Sequence, residues 1–517
     1  MFAHSRNLAI TGGEFTHINH AQSAFDKLKN ASAPTALYDS SARYDPPKCH
    51  PNTHVAVLEY LMGWIFGRKD PEALILWLYG PAGSGKSAIL QTIAELCAKN
   101  NTLLASFFFG RSDPTRNHIK PIIPTIACQI AITIPELKPY VEGAIERDPF
   151  LLDKSLATQF QLLVITPLQA LASSGNLKPG SSRLIVIDGL DECDDPKMQS
   201  MMLRVVADAF RSQNVPLRFL IASRPERNIH YTFSSTVLSG LWRSVVLDDT
   251  YKPNDDICLF LTDSFHEIKN THPYHYLIPE TWPSESDINT LIRKSSGQFI
   301  YASQVVKYTS DPHDSPSRRL DVIMGLRPAR HDLPFAELDA LYTHLLEGCS
   351  RDIDIVLQIL GLRIIGITDI HYIEILLNIE PGDVAVRLAP LTSIVQVETP
   401  NISLSHASFG EFLTDPSRPS PNFYIDLLTV KERGLSCLLS WAQMHTTPVR
   451  TSNHYRDTWF FDVFLQVTLR ELPLTKIVEG VLMDVSLPDF WTSTENISHT
   501  FAVICVFLNI LVRLTSL

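Results

Sequence analysis

The sequence predicts an α/β chain: a parallel sheet with helices on both faces, followed by helical and winged-helix-like segments. Three stretches carry that expectation. Leu74–Leu90, LILWLYGPAGSGKSAIL, reads as a buried strand, a glycine-rich loop and a helix. Ser181–Cys193, SSRLIVIDGLDEC, and Val215–Arg224, VPLRFLIASR, read as two more buried strands, each ending in polar residues. Crossovers of roughly 20 residues or more between such strands imply parallel pairing.

Taken in order, residues 1–45 are polar and irregular, with a short helix over Ala21–Leu28. PPKCHPNT is a turn-rich stop, after which Thr53 is placed to cap a helix over His54–Gly67, with Val55, Leu58, Leu61, Met62 and Ile65 at helical spacing. Thr102–Arg111 is a second strand. Ile119–Ile134, a segment opened by Pro135, and Gln159–Ala172 read as helices, and Ser244–Leu247 as a last strand. Beyond residue 250 the pattern turns helical. Asn254–His266 begins with an Asn cap, Ser284–Ser295 has an N-cap signature, and a helix runs from Gly297 to Tyr308. Asp311–Arg319 reads as a linker. Leu333–Gly348 and Ile353–Ile365 are helices, ILLNI a short segment, and Asp383–Leu388 a helix stopped by Pro390. Strands Ser393–Val397 and Asn401–Ser405 and a helix His406–Leu413 complete a winged-helix-like pattern, with more helix over 421–500. No internal repeat is found.

The loop Gly80, Pro81, Ala82, Gly83, Ser84, Gly85, Lys86, Ser87, Ala88 fits G-x-x-x-x-G-K-[ST] in the strand–loop–helix setting that gives the motif its meaning. Glycines let backbone N–H groups close on phosphate oxygens. Lys86 adds charge for the β- and γ-phosphates, Ser87 a hydroxyl for Mg²⁺, and the helix its N-terminal partial charge. Asp188, at the carboxyl end of its strand, can hold the water shell of the same ion. Asp191 and Glu192 bring two more carboxylates; one could polarise an attacking water, or both could cap the following helix. Arg224 would lie beside Asp188 if the two strands are neighbours and could sense a γ-phosphate; otherwise it caps the next helix. The chain therefore reads as an α/β P-loop NTPase.

A length of 517 residues calls for about three domains. The net charge of −11 argues against general attraction to nucleic acid. Eight scattered cysteines form no CxxC and no metal-ligand spacing, so they read as reduced buried thiols in a cytoplasmic protein. The opening residues lack the apolar core of a signal peptide. Phe501–Val512, FAVICVFLNILV, is apolar but short of the roughly 20 residues needed to span a bilayer. It reads as a buried helix or the end of a chain cut before its next domain, and membrane contact is expected only through it.

With these motifs in hand, the chain resembles the fungal NACHT-domain NTPases, NLR-like members of the STAND class. The match runs through LWLYGPAGSGKSAIL, LIVIDGLDEC, FLIASRPE, LIRKSSGQFIYASQVV, PFAELDALYTHLL and ISLSHASFGEFLTDPSR, in that order, over roughly 35–425. The resemblance implies a leader at 1–50, an NTPase core with its preceding helix at 51–250, a helical domain at 251–328, a winged-helix-like domain at 329–420 and a helical segment at 421–517. It implies a switch that holds ADP when closed, exchanges it for ATP with Mg²⁺, hydrolyses slowly, and self-assembles with unidentified protein partners in self/non-self recognition or cell-death signalling. GTP stays open as the nucleotide. By the same resemblance Lys86 and Ser87 contact phosphate and Mg²⁺, Asp188 is the metal aspartate, Asp191 and Glu192 are the extra acidic positions, and Arg224 is the sensor. His406 stands where such proteins often reach the ADP β-phosphate. Two departures stand out: His54 where many relatives have Arg, and Gly297-Gln-Phe299 where many have G-x-P.

Two other classes compete. One is a scaffold that binds nucleotide only for folding; the other is a metabolic P-loop kinase, against which the helical extensions and the lack of an acceptor motif weigh. A winged helix also raises DNA binding, against which the acid balance weighs.

Overall fold

Short runs of branched and aromatic residues closed by glycine or polar groups form the strands, because side chains buried on both faces suit a sheet covered by helices. Five of them pair in parallel: β1 (Ile75–Tyr79), β2 (Leu103–Phe108), β3 (Leu184–Asp188), β4 (Arg218–Ser223) and β5 (Trp242–Val246), in the order β2-β3-β4-β1-β5. The computed structural model describes residues 23–43, 46–111, 113–174, 184–212, 217–326, 335–349, 352–404, 406–419 and 422–444. The apolar stretch 501–512 and most of the 421–517 segment lie outside them.

In chain order the helices are α1 (Ala24–Asn30), α2 (Val55–Ile65), α3 (Lys86–Lys99), α4 (Ile122–Thr133), α5 (Lys138–Arg147), α6 (Leu156–Phe160), α7 (Thr166–Ser173), α8 (Pro196–Ser212) and α9 (Arg227–Phe233). After β5 come α10 (Pro253–Thr271), α11 (Glu285–Ser295), α12 (Phe299–Thr309), α13 (Pro316–Gly325), α14 (Ala336–Glu347), α15 (Ile353–Ile364), α16 (Ile370–Leu377) and α17 (Asp383–Leu388). The antiparallel hairpin β6 (Val395–Glu398) and β7 (Asn401–Leu404) leads to α18 (Ala407–Thr414) and α19 (Leu427–Met444). The chain divides into two compact units, one of Met1–Pro34 with Lys120–Pro179, the other of Thr35–Ile119 with Gly180–Leu517.

The first unit is helical. Ser23 and Asp26 form a reciprocal capping box at α1, which buries Phe25 and Leu28. Between α6 and α7 the backbone widens into a π turn over Gln161–Ile165. Pro167 explains it: the residue has no N–H, and its ring crowds the carbonyl of residue 163. Buried Phe160, Leu163, Val164, Ile165 and Leu168 hold the widened segment in the core.

The second unit carries the sheet and the later helices. Trp77 on β1 is fully buried, donates from Nε1 to Ser223 Oγ on β4 at 2.8 Å, and stacks on Phe233. A further apolar core runs from α10 to α18, where Tyr342, Phe409 and Phe412 pack together. Burying each such ring contributes about 2–3 kcal/mol, which fixes α18 against α14.

Several local expectations are corrected. Thr53 does not cap α2: its hydroxyl donates to His50 O at 2.7 Å, and His54, at φ 54°, is the residue that leads into the helix. Asn254 lies inside α10, which starts from Lys252 and Pro253 because proline suits a first helical turn. The stretch 311–319 is not merely a linker, since α13 begins at Pro316 within it and Arg319 pairs with Asp311 at 2.7 Å. The first three residues of ILLNI are the end of helix α16, with Asn378 its left-handed C-cap, and the helix is opened by Asp369, whose side chain accepts from His371 N at 2.9 Å.

Candidate nucleotide-binding site

The site is built where β1 gives way to α3. Gly83 has φ 76° and Gly85 φ 89°, a left-handed backbone that glycine adopts without strain. A Cβ at Gly83 would run into Ile300 Cγ2, and one at Gly85 would meet His54 Nε2. Glycine is thus required here by both conformation and space. Within the loop, the buried Ser84 Oγ has no hydrogen-bond partner. Lys86 Nζ donates to Gly80 O at 2.9 Å and to Pro81 O at 2.7 Å. Burial drives its ammonium down to about 8, opposed by the charges of Asp191, Asp188 and Glu192, while Arg224 adds to the fall.

Asp188 ends β3, is 6% exposed, and lies beside the Ser87 hydroxyl. Burial pushes its carboxyl above the usual range, against the Ser87 hydroxyl and the charge of Arg43. Arg43 lies with its guanidinium 3.8 Å from the centre of the Phe108 ring, and Phe108 is the register partner of Asp188. Mg²⁺ commonly takes one or two protein oxygens and completes its shell with phosphate and water. Ser87 and Asp188, brought together by folding, fit that pattern, and the glycine cradle with the unpartnered Ser84 hydroxyl fits a phosphate chain.

Asp191 and Glu192 sit in a tight turn after Gly189 and do not cap α8, which starts at Pro196. Asp191 Oδ1 instead accepts from Arg224 N at 3.0 Å, and Glu192 Oε2 from Arg111 N at 3.0 Å. Burial raises the Glu192 carboxyl to about 7, with the Asp191 charge adding to it. β3 and β4 are neighbours, the condition the sequence left open, yet Arg224 turns to Asp191 rather than Asp188, with Nε 3.4 Å from Asp191 Oδ2. Its other edge grips Glu411 of α18: Nη2 to Oε1 at 2.5 Å and Nη1 to Oε2 at 3.2 Å.

His406 is the N-cap of α18. Its Nδ1 accepts from Ser408 N at 3.0 Å, while Tyr342 OH and Ser408 Oγ are 2.8 Å apart. Burial holds the imidazole down at about 4 despite Glu411, so the ring is neutral near pH 7 and its proton sits on Nε2. The positive charges of Arg224 and Lys86 also act on it.

Folding therefore gathers Lys86, Ser87, Asp188, Asp191, Glu192 and Arg224 at the carboxyl end of the sheet, within electrostatic reach of one another. Glu411, Arg111 and Arg43 were not singled out by the motifs. They arrive from a late helix, a strand end and the leader, and no local pattern marks them. Such an arrangement can hold a polyanion, position a metal between Ser87 and Asp188, and present one carboxyl able to take a proton near neutrality.

A parallel sheet of this order, with its glycine loop between β1 and α3 and an aspartate closing β3, defines an α/β P-loop NTPase. The family described as "Nephrocystin 3, N-terminal" matches residues 61–224, less than half of the chain. Among solved structures, the chain is similar to the Aeropyrum pernix ORC1 protein in complex with DNA. That match has 13% identity, covers 70% of this chain and 91% of that one, and has a TM-score of 0.32. It is also similar to Drosophila ORC bound to poly(dA/dT) DNA and Cdc6, at 12% identity, with 93% and 77% covered and a TM-score of 0.25. At such TM-scores these likenesses carry no argument about function. No curated protein matches the chain significantly.

Proposed function

We propose that this chain is a nucleotide-dependent signalling switch of the STAND/NLR type, binding ATP and ADP with Mg²⁺ and hydrolysing slowly. Lys86 and the loop from Gly80 to Ala88 hold the phosphates, Ser87 and Asp188 the metal, and Glu192 with Asp191 and Arg224 serve the terminal phosphate. When bound, Mg²⁺ supplies charge compensation at the phosphates. Glu192 is the group able to accept a proton from water, and Arg224 orients negative charge. His406 donates from Nε2 toward the phosphate chain. The domain organisation follows the boundaries at 50, 250, 328 and 420, and the setting is cytoplasmic, with self-assembly on activation.

The observation that carries this reading is Glu411 of the late helix α18, whose two carboxylate oxygens accept from the terminal nitrogens of Arg224 beside the phosphate loop. A metabolic kinase has no use for that wiring. A switch does, because a ligand shifts a conformational equilibrium only through different contacts in the two states. The test is the nucleotide content and mass of the purified protein, with ADP and with a non-hydrolysable ATP analogue, beside Lys86→Ala and Asp188→Ala. Co-purified ADP and larger particles only with the analogue, lost in Lys86→Ala, support the switch. Bound nucleotide with one unchanging mass supports the scaffold instead. Absence of nucleotide binding in the wild type overturns both.

A further inference from the structure

Arg224 uses its two edges for two different carboxylates. The Nε edge and its own backbone N–H face Asp191, while the terminal nitrogens form a fork on Glu411. Arg111, from the end of β2, reaches the same Glu411 oxygen at 3.4 Å, and its other terminal nitrogen stands 3.9 Å from Asp191. One carboxylate of α18 is thus held by two arginines. The Glu411 side chain is 17% exposed and that of Asp191 only 3%, so the tether on Asp191 is the more deeply buried of the two and Glu411 is the more exchangeable. Asp191 keeps Arg224 in place whatever happens to Glu411. The forked edge can therefore trade one anion for another without moving the guanidinium.

We propose that Glu411 is a resident anion on the arginine pair Arg224 and Arg111 that discriminates nucleoside diphosphate from triphosphate. This rests on the nucleotide-switch reading above. A diphosphate on the loop leaves the pair to Glu411. A triphosphate brings a further anionic group whose natural partners are the same forked nitrogens, and the two anions repel each other in a half-buried space. The triphosphate binds fully only when Glu411 leaves. Glu411 lies on α18, whose Phe409 and Phe412 are buried against Tyr342, so its departure loads that packing. The coupling is reciprocal: whatever holds α18 in place weakens triphosphate binding by the factor that triphosphate weakens the hold.

The experiment compares the affinities of fluorescent ADP and a fluorescent non-hydrolysable ATP analogue, both with Mg²⁺, for the full chain. The variants are Glu411→Gln, Glu411→Asp and the exposed hairpin control Glu398→Gln. Glu411→Gln is expected to tighten the triphosphate on the order of tenfold relative to the diphosphate, with ADP affinity little changed. Glu411→Asp, which keeps the charge but withdraws it by one methylene, is expected to move the ratio the same way by less, and Glu398→Gln not at all. An unchanged ratio in both Glu411 variants, with ADP binding intact, overturns the proposal and leaves the switch reading standing. If Glu411→Gln does not fold, the ratio in Glu411→Asp decides alone. A wild type that binds neither nucleotide overturns the switch reading and this proposal together.

Discussion

The His54 ring and Gly85 occupy adjoining space: a Cβ built on Gly85 would stand 2.9 Å from His54 Nε2. His54 is itself fixed. Its backbone N–H donates to Asp256 at 2.8 Å, its ring packs 4.7 Å from that of Phe299, and its buried Nδ1 has no hydrogen-bond partner. Gly85→Ala is expected to destabilise the protein by about 1–2 kcal/mol from the left-handed backbone alone, plus a steric share. His54→Asn, whose smaller side chain tolerates φ 54°, should relieve the steric share and not the backbone share. A double-mutant cycle by chemical denaturation reads this as a favourable coupling of at least about 0.5 kcal/mol. Strict additivity would refute the contact.

Lys86→Ala removes the loop's one ammonium, which among the described residues donates to the carbonyls of Gly80 and Pro81. Losing a charged hydrogen-bonding group to a phosphate costs about 1.5–3 kcal/mol, so ADP affinity measured by titration calorimetry should fall roughly 10- to 100-fold. The melting temperature should hold or rise, since burial of the ammonium already works against its charged form. An equal affinity in the variant would remove the loop from nucleotide binding.

Four of the five sheet strands were readable because each is a short apolar run closed by polar residues, and the loop because its spacing is tied to a mechanism; β5, WRSVV with Arg243 and Ser244 exposed, was legible only from Ser244 onward. Local chemistry misled at helix starts. Thr53 and Asn254 are good caps by type, yet the backbone chose His54 and Lys252 in left-handed conformations, set by tertiary contacts such as His54 N to Asp256. Pro316 was read as part of a linker and is a helix start. At the site, the acidic run and Arg224 were legible, but their partners were not. That Asp191 serves Arg224 rather than a helix, and that Glu411 reaches across 187 residues of sequence, depends on which elements pack together. A period of 3.6 places Glu411 on a helix but cannot say what that helix faces.

His406 gives a stability test in acid. Its folded pKa, about 4, lies below the ordinary 6.5 because the ring is buried. The unfolded chain therefore binds a proton that the native state refuses, and stability rises with pH between 4 and 6.5 and is flat above. Acidification from pH 7 to pH 4 should cost at most on the order of 3 kcal/mol through this residue. His406→Asn keeps a cap acceptor for Ser408 N and removes the titration. The difference in melting temperature between wild type and variant should accordingly shrink or reverse on going from pH 7 to pH 4.5. A constant difference across that range would mean that the native ring takes up its proton as readily as the unfolded one.

Glu192 sets the acid limb of any turnover. Burial first, then the charges of Asp191 and Asp188, raise its carboxyl from 4.5 to about 7, against the hydrogen bond from Arg111 N. Below that value it carries a proton and cannot accept one from water. Phosphate release should therefore climb with pH through about 7 and level off above it. Glu192→Gln keeps the size and can still accept from Arg111 N, so nucleotide binding should survive. Turnover should drop by roughly 10²–10⁴-fold and lose its acid limb. Lost turnover with the acid limb preserved in the residual rate would rule Glu192 out as the base, because a purely structural defect lowers the rate and leaves the shape of the profile unchanged.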